Sequence, residues 1–135
     1  MTTAGIPEWA VDLRSELHER MGLEITHLAA ERVVGSMPVA GNRQPMGLLH
    51  GGASGVMIEG LASMGAIAHA RGHGRGAVGV DLNVTHIRGV REGRVTGVAT
   101  PVHLGSRIAV YEVEITDEQG RRTALGRLTC HLIDG

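Results

Sequence analysis

Between Gly51 and Ala68 the chain carries one charged side chain, Glu59, in an apolar, glycine-rich run. A carboxylate taken out of water is costly unless it is paired. Glu59 is therefore either half of a buried ion pair with an Arg or His elsewhere, or a reacting group. Ser63, four residues on, falls on the same helical face and can share a water or a substrate with it. His50-Gly51-Gly52 opens the same segment. A helix start offers unpaired amides and the positive end of the dipole, and glycine lets a ligand approach that backbone closely. A reacting carbonyl oxygen held by the Gly51 amide would lie far from the carboxylate of the same helix. Eight residues of helix, about 12 Å, separate Gly51 from Glu59. If both act on one group, the carboxylate comes from a second subunit whose helix runs antiparallel alongside.

The elements that must position these residues follow from pattern. Pro7 and "EWAVDLRSELHERMG" predict an amphipathic helix over about 7–21, with Trp9, Leu13 and Leu17 near one face and Gly22 as its stop. "LEITHLAAERVVGSMPV" predicts two strands or one bent pair, ending at Pro38, "AGNRQPMG" a loop, and Gly51–Ala70 the central helix. Five glycines in that helix each cost about 1 kcal/mol against Ala, so it is stable only where packing surrounds it. Beyond the turn "RGHGRG", four strands follow as a meander. In the first of them Val78, Val80, Leu82, Val84 and His86 alternate onto one face, and Asp117-Glu118-Gln119-Gly120 marks a hairpin. One long helix followed by consecutive antiparallel strands is an α+β arrangement with the sheet wrapped on the helix. No repeat or linker divides residues 1–135.

Composition excludes several functions. A net charge of −1 and an aromatic share of 1%, with no Phe, argue against nucleic acid as a partner. The single Cys130 cannot form an internal disulfide and fits a reducing compartment. "MTTAGIPEWAVDLRSELHER" lacks the apolar segment of a signal peptide, and no apolar run is long enough to span a membrane. The expectation is a cytoplasmic protein.

Three motifs together resemble one family. "QPMGLLHGGASGVMIEGLASMG", then "GVDLNVTHIRGVREGRVTGVATPVHLGS" and "DEQGRR", are similar to the hotdog-fold acyl-CoA thioesterases of the phenylacetate-type group. That group includes the enterobactin-proofreading, 1,4-dihydroxy-2-naphthoyl-CoA and 4-hydroxybenzoyl-CoA thioesterases. The likeness runs from about Gly22 to Ile133. It rests on His50-Gly51-Gly52 with the acid nine residues after the His, Gln44 six before it, Ser63 four after the acid, and "NVTH" in the next strand.

The resemblance implies a hotdog fold, a long central helix wrapped by about five or six antiparallel strands. It also implies homodimers joined sheet edge to sheet edge, often paired into homotetramers. It implies hydrolysis of an acyl-CoA or acyl-carrier-protein thioester without metal or cofactor. The Gly51 amide would hold the carbonyl oxygen and Gln44 would orient or polarise it. His50 would assist the leaving thiolate or fix the loop, and Glu59 of the partner would be nucleophile or general base. Ser63 would position the water and His86 would contact the acyl group. Arg88, with Ser106 and Arg107, would meet the CoA phosphates. With so few aromatics, the acyl group would rest on aliphatic side chains and on Met57 and Met64. The alternatives are a non-catalytic acyl-CoA-binding module and a dehydratase of the same fold. The first has no use for Glu59, Gln44 and His50 together, and the second relies on a His/Asp or His/Glu pattern not found here.

Other signals carry less. Gly74-Arg75-Gly76-Ala77-Val78-Gly79 matches a dinucleotide fingerprint but stands after a helix and before a strand, the reverse of the required order. His69 and His73 have the spacing of a zinc pair without further ligands beside them, and read as a structural or surface pair.

Overall fold

The computed structural model describes residues 4–135, in which a long helix lies across one face of a six-stranded antiparallel sheet. The strands are β1 (Glu24–Ala29), β2 (Arg32–Pro38), β3 (Gly76–His86), β4 (Arg94–Leu104), β5 (Ile108–Thr116) and β6 (Arg122–Ile133). Their order across the sheet is β1-β2-β4-β5-β6-β3. The expected meander therefore holds for β4 to β6, whereas β3 crosses to the far edge beside β6.

The single helix expected over about 7–21 is instead a 3₁₀ turn at Glu8–Ala10 and a short helix, α1 (Glu16–Met21). Ser15 is the reason. Its hydroxyl accepts from the His18 N–H at 3.3 Å, and a side chain that satisfies a first-turn amide starts a new helix. Leu13 and Leu17 are both exposed, so no continuous apolar face forms. Gly22 ends α1 in the left-handed conformation, at φ 72°.

The central helix, α2 (Gly51–Arg71), buries Met57, Ile58, Leu61, Ala62, Ala66 and Ala70 against the sheet. The sheet answers with Val33, Met37, Val95, Ala99, Val113, Ile115, Leu128 and Cys130. Tyr111 is the one large aromatic in this core. Its ring lies where a Cβ on Gly65 would approach within 2.7 Å, and its hydroxyl donates to the Ala30 carbonyl at 2.5 Å. Met57 is fully buried here, so it packs the core and does not line a tunnel.

β3 departs from its expected alternation. Gly79 pairs with Cys130 and Asp81 with Thr129, which leaves Val80 as the extra residue of a bulge. A side chain at Gly79 would meet Glu59, Val84 lies against Gly55, and His86 lies against Gly51. The helix-facing set is thus Gly79, Leu82, Val84 and His86, and Val78 and Val80 do not belong to it. Val78, Val80 and Leu82 are exposed by 46%, 59% and 38%, along an edge that no strand among the described residues covers.

Candidate functional site

The loop between β2 and α2 is held by a residue that pattern reading passed over. Asn42 is buried, and its side-chain amide donates to the Met21 and Pro38 carbonyls, both at 2.8 Å. Its own carbonyl accepts from the His50 N–H at 2.8 Å. Within the loop so anchored, the Gln44 Oε1 accepts from the N–H groups of Met46 (2.5 Å) and Leu48 (3.4 Å). Its oxygen is engaged, and its Nε2 hydrogens remain to donate outward.

His50 is the N-cap of α2. Its Nδ1 accepts from the Gly52 N–H at 2.8 Å, which places the ring proton of a neutral His50 on Nε2. The His50 carbonyl accepts from the Ala53 and Ser54 N–H groups, at 2.9 and 3.3 Å. Of the four amides a helix start leaves without intrahelical partners, three are therefore satisfied. The Gly51 N–H donates to nothing among the described residues. It opens on a cavity of about 310 Å³ lined by Gln44, Leu48, Leu49, Gly51, Ser54, His86, Ile87, Arg88, Gly89 and Thr123. His86 closes one wall, with its ring Nε2 2.8 Å from where a Cβ on Gly51 would stand, so a side chain at position 51 would collide with it. The Thr123 carbonyl accepts from the Ile87 and Arg88 N–H groups and fixes the turn that follows β3.

Gln44, Gly51, His86 and Arg88 thus converge on one cavity, with His50 as the cap beside them. Glu59 does not join them. It sits more than two turns along α2, with its Oε2 2.9 Å from the position a Cβ on Gly79 would take. It is not the buried carboxylate expected from its surroundings, because within one chain it is exposed. The apolar residues around it in sequence face the sheet, while Glu59 faces the open edge beside β3. Its charge reaches Cys130, whose thiol is pushed up to about 11 by burial first and by Glu59 second. Ser63 is half-buried one turn further on.

Met64 lies elsewhere. Met64 lines a second, apolar cavity of about 520 Å³ under the N-terminal segment, with His18, Leu23, Ile25, Leu28 and Ile67. One residue of helix is about 100°, which turns Met64 away from the Ser63 side. Ser106 and Arg107 are exposed in the β4–β5 turn. Arg75, just before β3, donates to the Ser106 carbonyl at 2.7 Å, so Ser106 belongs to the Gly76 end of that strand. Arg88 follows the His86 end, and eleven strand residues, about 33 Å, lie between. Within one chain the three expected phosphate contacts are not together.

The His69 Nε2–H donates to the Gly105 carbonyl (2.7 Å), and its ring stacks edge-on with His73, at 4.9 Å between ring centres. No group of three or more His, Cys, Asp or Glu side chains suited to a metal occurs among the described residues. No helix among them is long and apolar enough to cross a membrane.

Comparison with known proteins gives the family. Residues 46–124 match the family described as "Thioesterase superfamily". A Deinococcus radiodurans protein named as an esterase is 49% identical over 121 residues, 90% of this chain and 76% of its own. The 1,4-dihydroxy-2-naphthoyl-CoA hydrolase of Escherichia coli K12 is 40% identical over 114 residues, 84% of this chain and 83% of its own. A Staphylococcus aureus thioesterase superposes with a TM-score of 0.83 at 30% identity, over 88% of this chain and 99% of that one. That protein has been crystallised as a Gln-to-Ala and as a Glu-to-Ala variant. The two altered positions are fifteen residues apart in its chain, as Gln44 and Glu59 are here.

Proposed function

From the premise that this chain belongs to the thioesterase superfamily and is a thioester hydrolase, we propose that it cleaves an acyl-CoA, or an acyl group on a carrier protein, in a site shared by two copies of the chain. The observation that carries this reading is the Gly51 N–H, the one amide of the α2 start left free, opening on a cavity beside Gln44. A thioester carbonyl oxygen placed there accepts from the Gly51 amide and from the Gln44 Nε2. Negative charge developing on it is stabilised by both donors and by the helix start.

The carboxylate that completes the reaction is Glu59 of the partner. Within one chain about 12 Å of helix separates it from the Gly51 amide, too far to serve one carbonyl. Its exposure at the uncovered β3 edge fits a group that faces a second subunit. As a base, Glu59 removes a proton from water held with Ser63. The hydroxide attacks the carbonyl carbon, the C–S bond breaks, and the thiolate takes a proton for which the His50 Nε2–H is a donor. As a nucleophile, Glu59 itself attacks, and water then opens the anhydride. Both routes need the same ionised carboxylate.

The Escherichia coli relative named for a naphthoyl-CoA and the aliphatic lining from Leu48 and Leu49 favour an aromatic or short to medium acyl group, with His86 against it. In the same dimer Arg88 of one chain and Ser106 and Arg107 of the other meet the CoA phosphates. Glu59→Gln keeps the shape and removes the base or nucleophile, and turnover should fall by a factor on the order of 10² or more with the melting temperature unchanged. Thiol release from benzoyl-, phenylacetyl- and dihydroxynaphthoyl-CoA reads the rate. Near-normal turnover by the Gln variant on every substrate cleaved by the wild type would overturn the role of Glu59. Sharing of the site is read by mixing Glu59→Gln with a Gln44→Ala/His50→Ala double variant. Subunit exchange should restore activity toward about half the wild-type value per mixed dimer, since one of its two sites carries no lesion. No recovery after exchange is confirmed by mass spectrometry would place each site within one chain.

A further inference from the structure

Four polar residues are buried among those described: Asn42, Ser54, Asp117 and Thr123. Three of them have partners. Asn42 donates to the Met21 and Pro38 carbonyls, Asp117 accepts from the Gln119 and Arg121 N–H groups, and the Thr123 hydroxyl donates to the Ile115 carbonyl at 3.2 Å. Ser54 is the exception. It is 4% exposed, and its hydroxyl bonds to nothing among the described residues.

A serine inside a helix can return its proton to the carbonyl four residues back. For Ser54 that is the His50 carbonyl, whose two lone pairs are taken by the Ala53 and Ser54 N–H groups at 2.9 and 3.3 Å. Nor is the hydroxyl sealed in. The one enclosed side-chain atom without a partner among the described residues is the Arg75 Nε. Ser54 instead opens on the cavity that holds the free Gly51 amide.

Ser54 stands three residues after Gly51, and Cβ positions so spaced on a helix are about 5–6 Å apart. A helical side chain leans toward the N-terminus and covers the turn before its own Cα. The Ser54 hydroxyl therefore lies over the turn at which a carbonyl oxygen would meet the Gly51 amide. The same cavity is aliphatic at Leu48, Leu49 and Ile87, and its Thr123 hydroxyl is already bonded to Ile115.

We propose that Ser54 is a specificity-determining residue, whose hydroxyl hydrogen-bonds to an oxygen carried by the acyl group on the first or second carbon beyond the carbonyl. This rests on the reading above, in which the carbonyl lies at Gly51 and the acyl group in this cavity. The hydroxyl both donates and accepts, so it can serve a hydroxyl or an oxo group. A hydrocarbon acyl group displaces the water that would otherwise bond to Ser54 and leaves the hydroxyl unpaired. An acyl oxygen takes the place of that water. A site built to bond a substrate hydroxyl rejects the analogue that lacks it more strongly than an apolar wall rejects an added hydroxyl.

Paired thioesters read this selectivity: 2-hydroxybenzoyl- against benzoyl-CoA, and 3-hydroxybutyryl- against butyryl-CoA. The quantity is the ratio of kcat/KM within each pair, compared between the wild type and Ser54→Ala. Differences in intrinsic reactivity cancel in that comparison. Alanine is the better helix former and no hydrogen bond within the chain is lost, so Ser54→Ala should melt no lower than the wild type. The ratio should fall about 10-fold in at least one pair, the oxygenated thioester being cleaved more slowly and its plain counterpart faster. Binding of 2-hydroxyphenacyl- and phenacyl-CoA by calorimetry reads the same selectivity without turnover, since these thioethers keep a carbonyl and have no thioester bond to cleave. Ratios unchanged in both pairs and in binding would overturn the proposal, and so would an equal loss on every substrate, which would assign the hydroxyl to the part they share. In either case, turnover that still fails in Glu59→Gln leaves the hydrolytic site standing. Turnover of no thioester by the folded wild type would overturn both.

Discussion

Replacing Gly79 by Ala and then by Val puts first one and then three carbon atoms where the Glu59 carboxylate rests. A Cβ at this position would stand 2.9 Å from the Glu59 Oε2 and 3.3 Å from the Leu128 Cδ1. Ordinary contact begins near 3.4 Å, so the carboxylate must retreat by about 0.5 Å for Ala, while the Leu128 methyl gives by a tenth. The branches of Val roughly double that displacement. A misplacement of about 1 Å costs roughly 100-fold in rate, so kcat should fall about 10-fold in Gly79→Ala and about 100-fold in Gly79→Val. These losses correspond to about 1.4 and 2.7 kcal/mol of barrier. Stability moves differently. Glycine is a poor residue for the interior of a strand, and the gain of about 0.5–1 kcal/mol on replacing it offsets the adjustment at Leu128. The melting temperature should therefore stay near the wild-type value while kcat drops in steps, with KM less affected. Thiol-release kinetics and thermal melts on the same samples, with light scattering to verify assembly, separate the two effects. Wild-type kcat in both variants, or a loss matched by the unfolded fraction, would refute the placement of Glu59 over β3 as the reacting group.

Asn42→Ala leaves the Met21 and Pro38 carbonyls without their donor, and should lower stability by about 2 kcal/mol in denaturant titrations. It should also reduce kcat/KM, because the loop that carries Gln44 and His50 loses its anchor. Tyr111→Phe removes the donor to the Ala30 carbonyl in the β1–β2 turn and should cost about 1–2 kcal/mol without changing kcat, read by urea unfolding and thiol release. Burial alone raises the Asp117 carboxyl, but hydrogen bonds from the Arg121 and Gln119 amides and from the Arg121 guanidinium outweigh it, and the net shift is downward from 3.8. A depressed carboxyl stabilises the fold fully above its unfolded value and loses that contribution as pH falls through the folded one. Asp117→Asn should therefore melt below the wild type at neutral pH, with the gap closing below about pH 4; a gap independent of pH would refute this account.

How much of this was legible beforehand depended on whether the determinant was local. Residue type and spacing alone set the long helix at Gly51, the hairpin at Asp117-Glu118-Gln119-Gly120, and an α+β architecture with about six strands. Periodicity and turn chemistry act over a few residues and are written in order along the chain. The same holds for the reading that Gly51 and Glu59 cannot meet within one chain, because helix rise is a constant. The break at Ser15 was also local but was outvoted by an apolar spacing that the fold does not use.

What only the tertiary structure decided involves partners far apart in sequence. Asn42 earns no notice until its amide is seen between Met21 and Pro38. The unpaired state of the Gly51 N–H is visible only once His50 has satisfied its three neighbours. The bulge at Val80 depends on pairing between β3 and β6, some fifty residues apart, and it takes Val78 and Val80 out of the helix-facing set and puts Gly79 into it. The exposure of Glu59 depends on the same pairing. An apolar sequence around a carboxylate cannot tell whether that carboxylate points into the sheet or past its edge. That choice belongs to the crossing of β3 to the far side of β6, which leaves Glu59 beside an edge that no strand among the described residues covers.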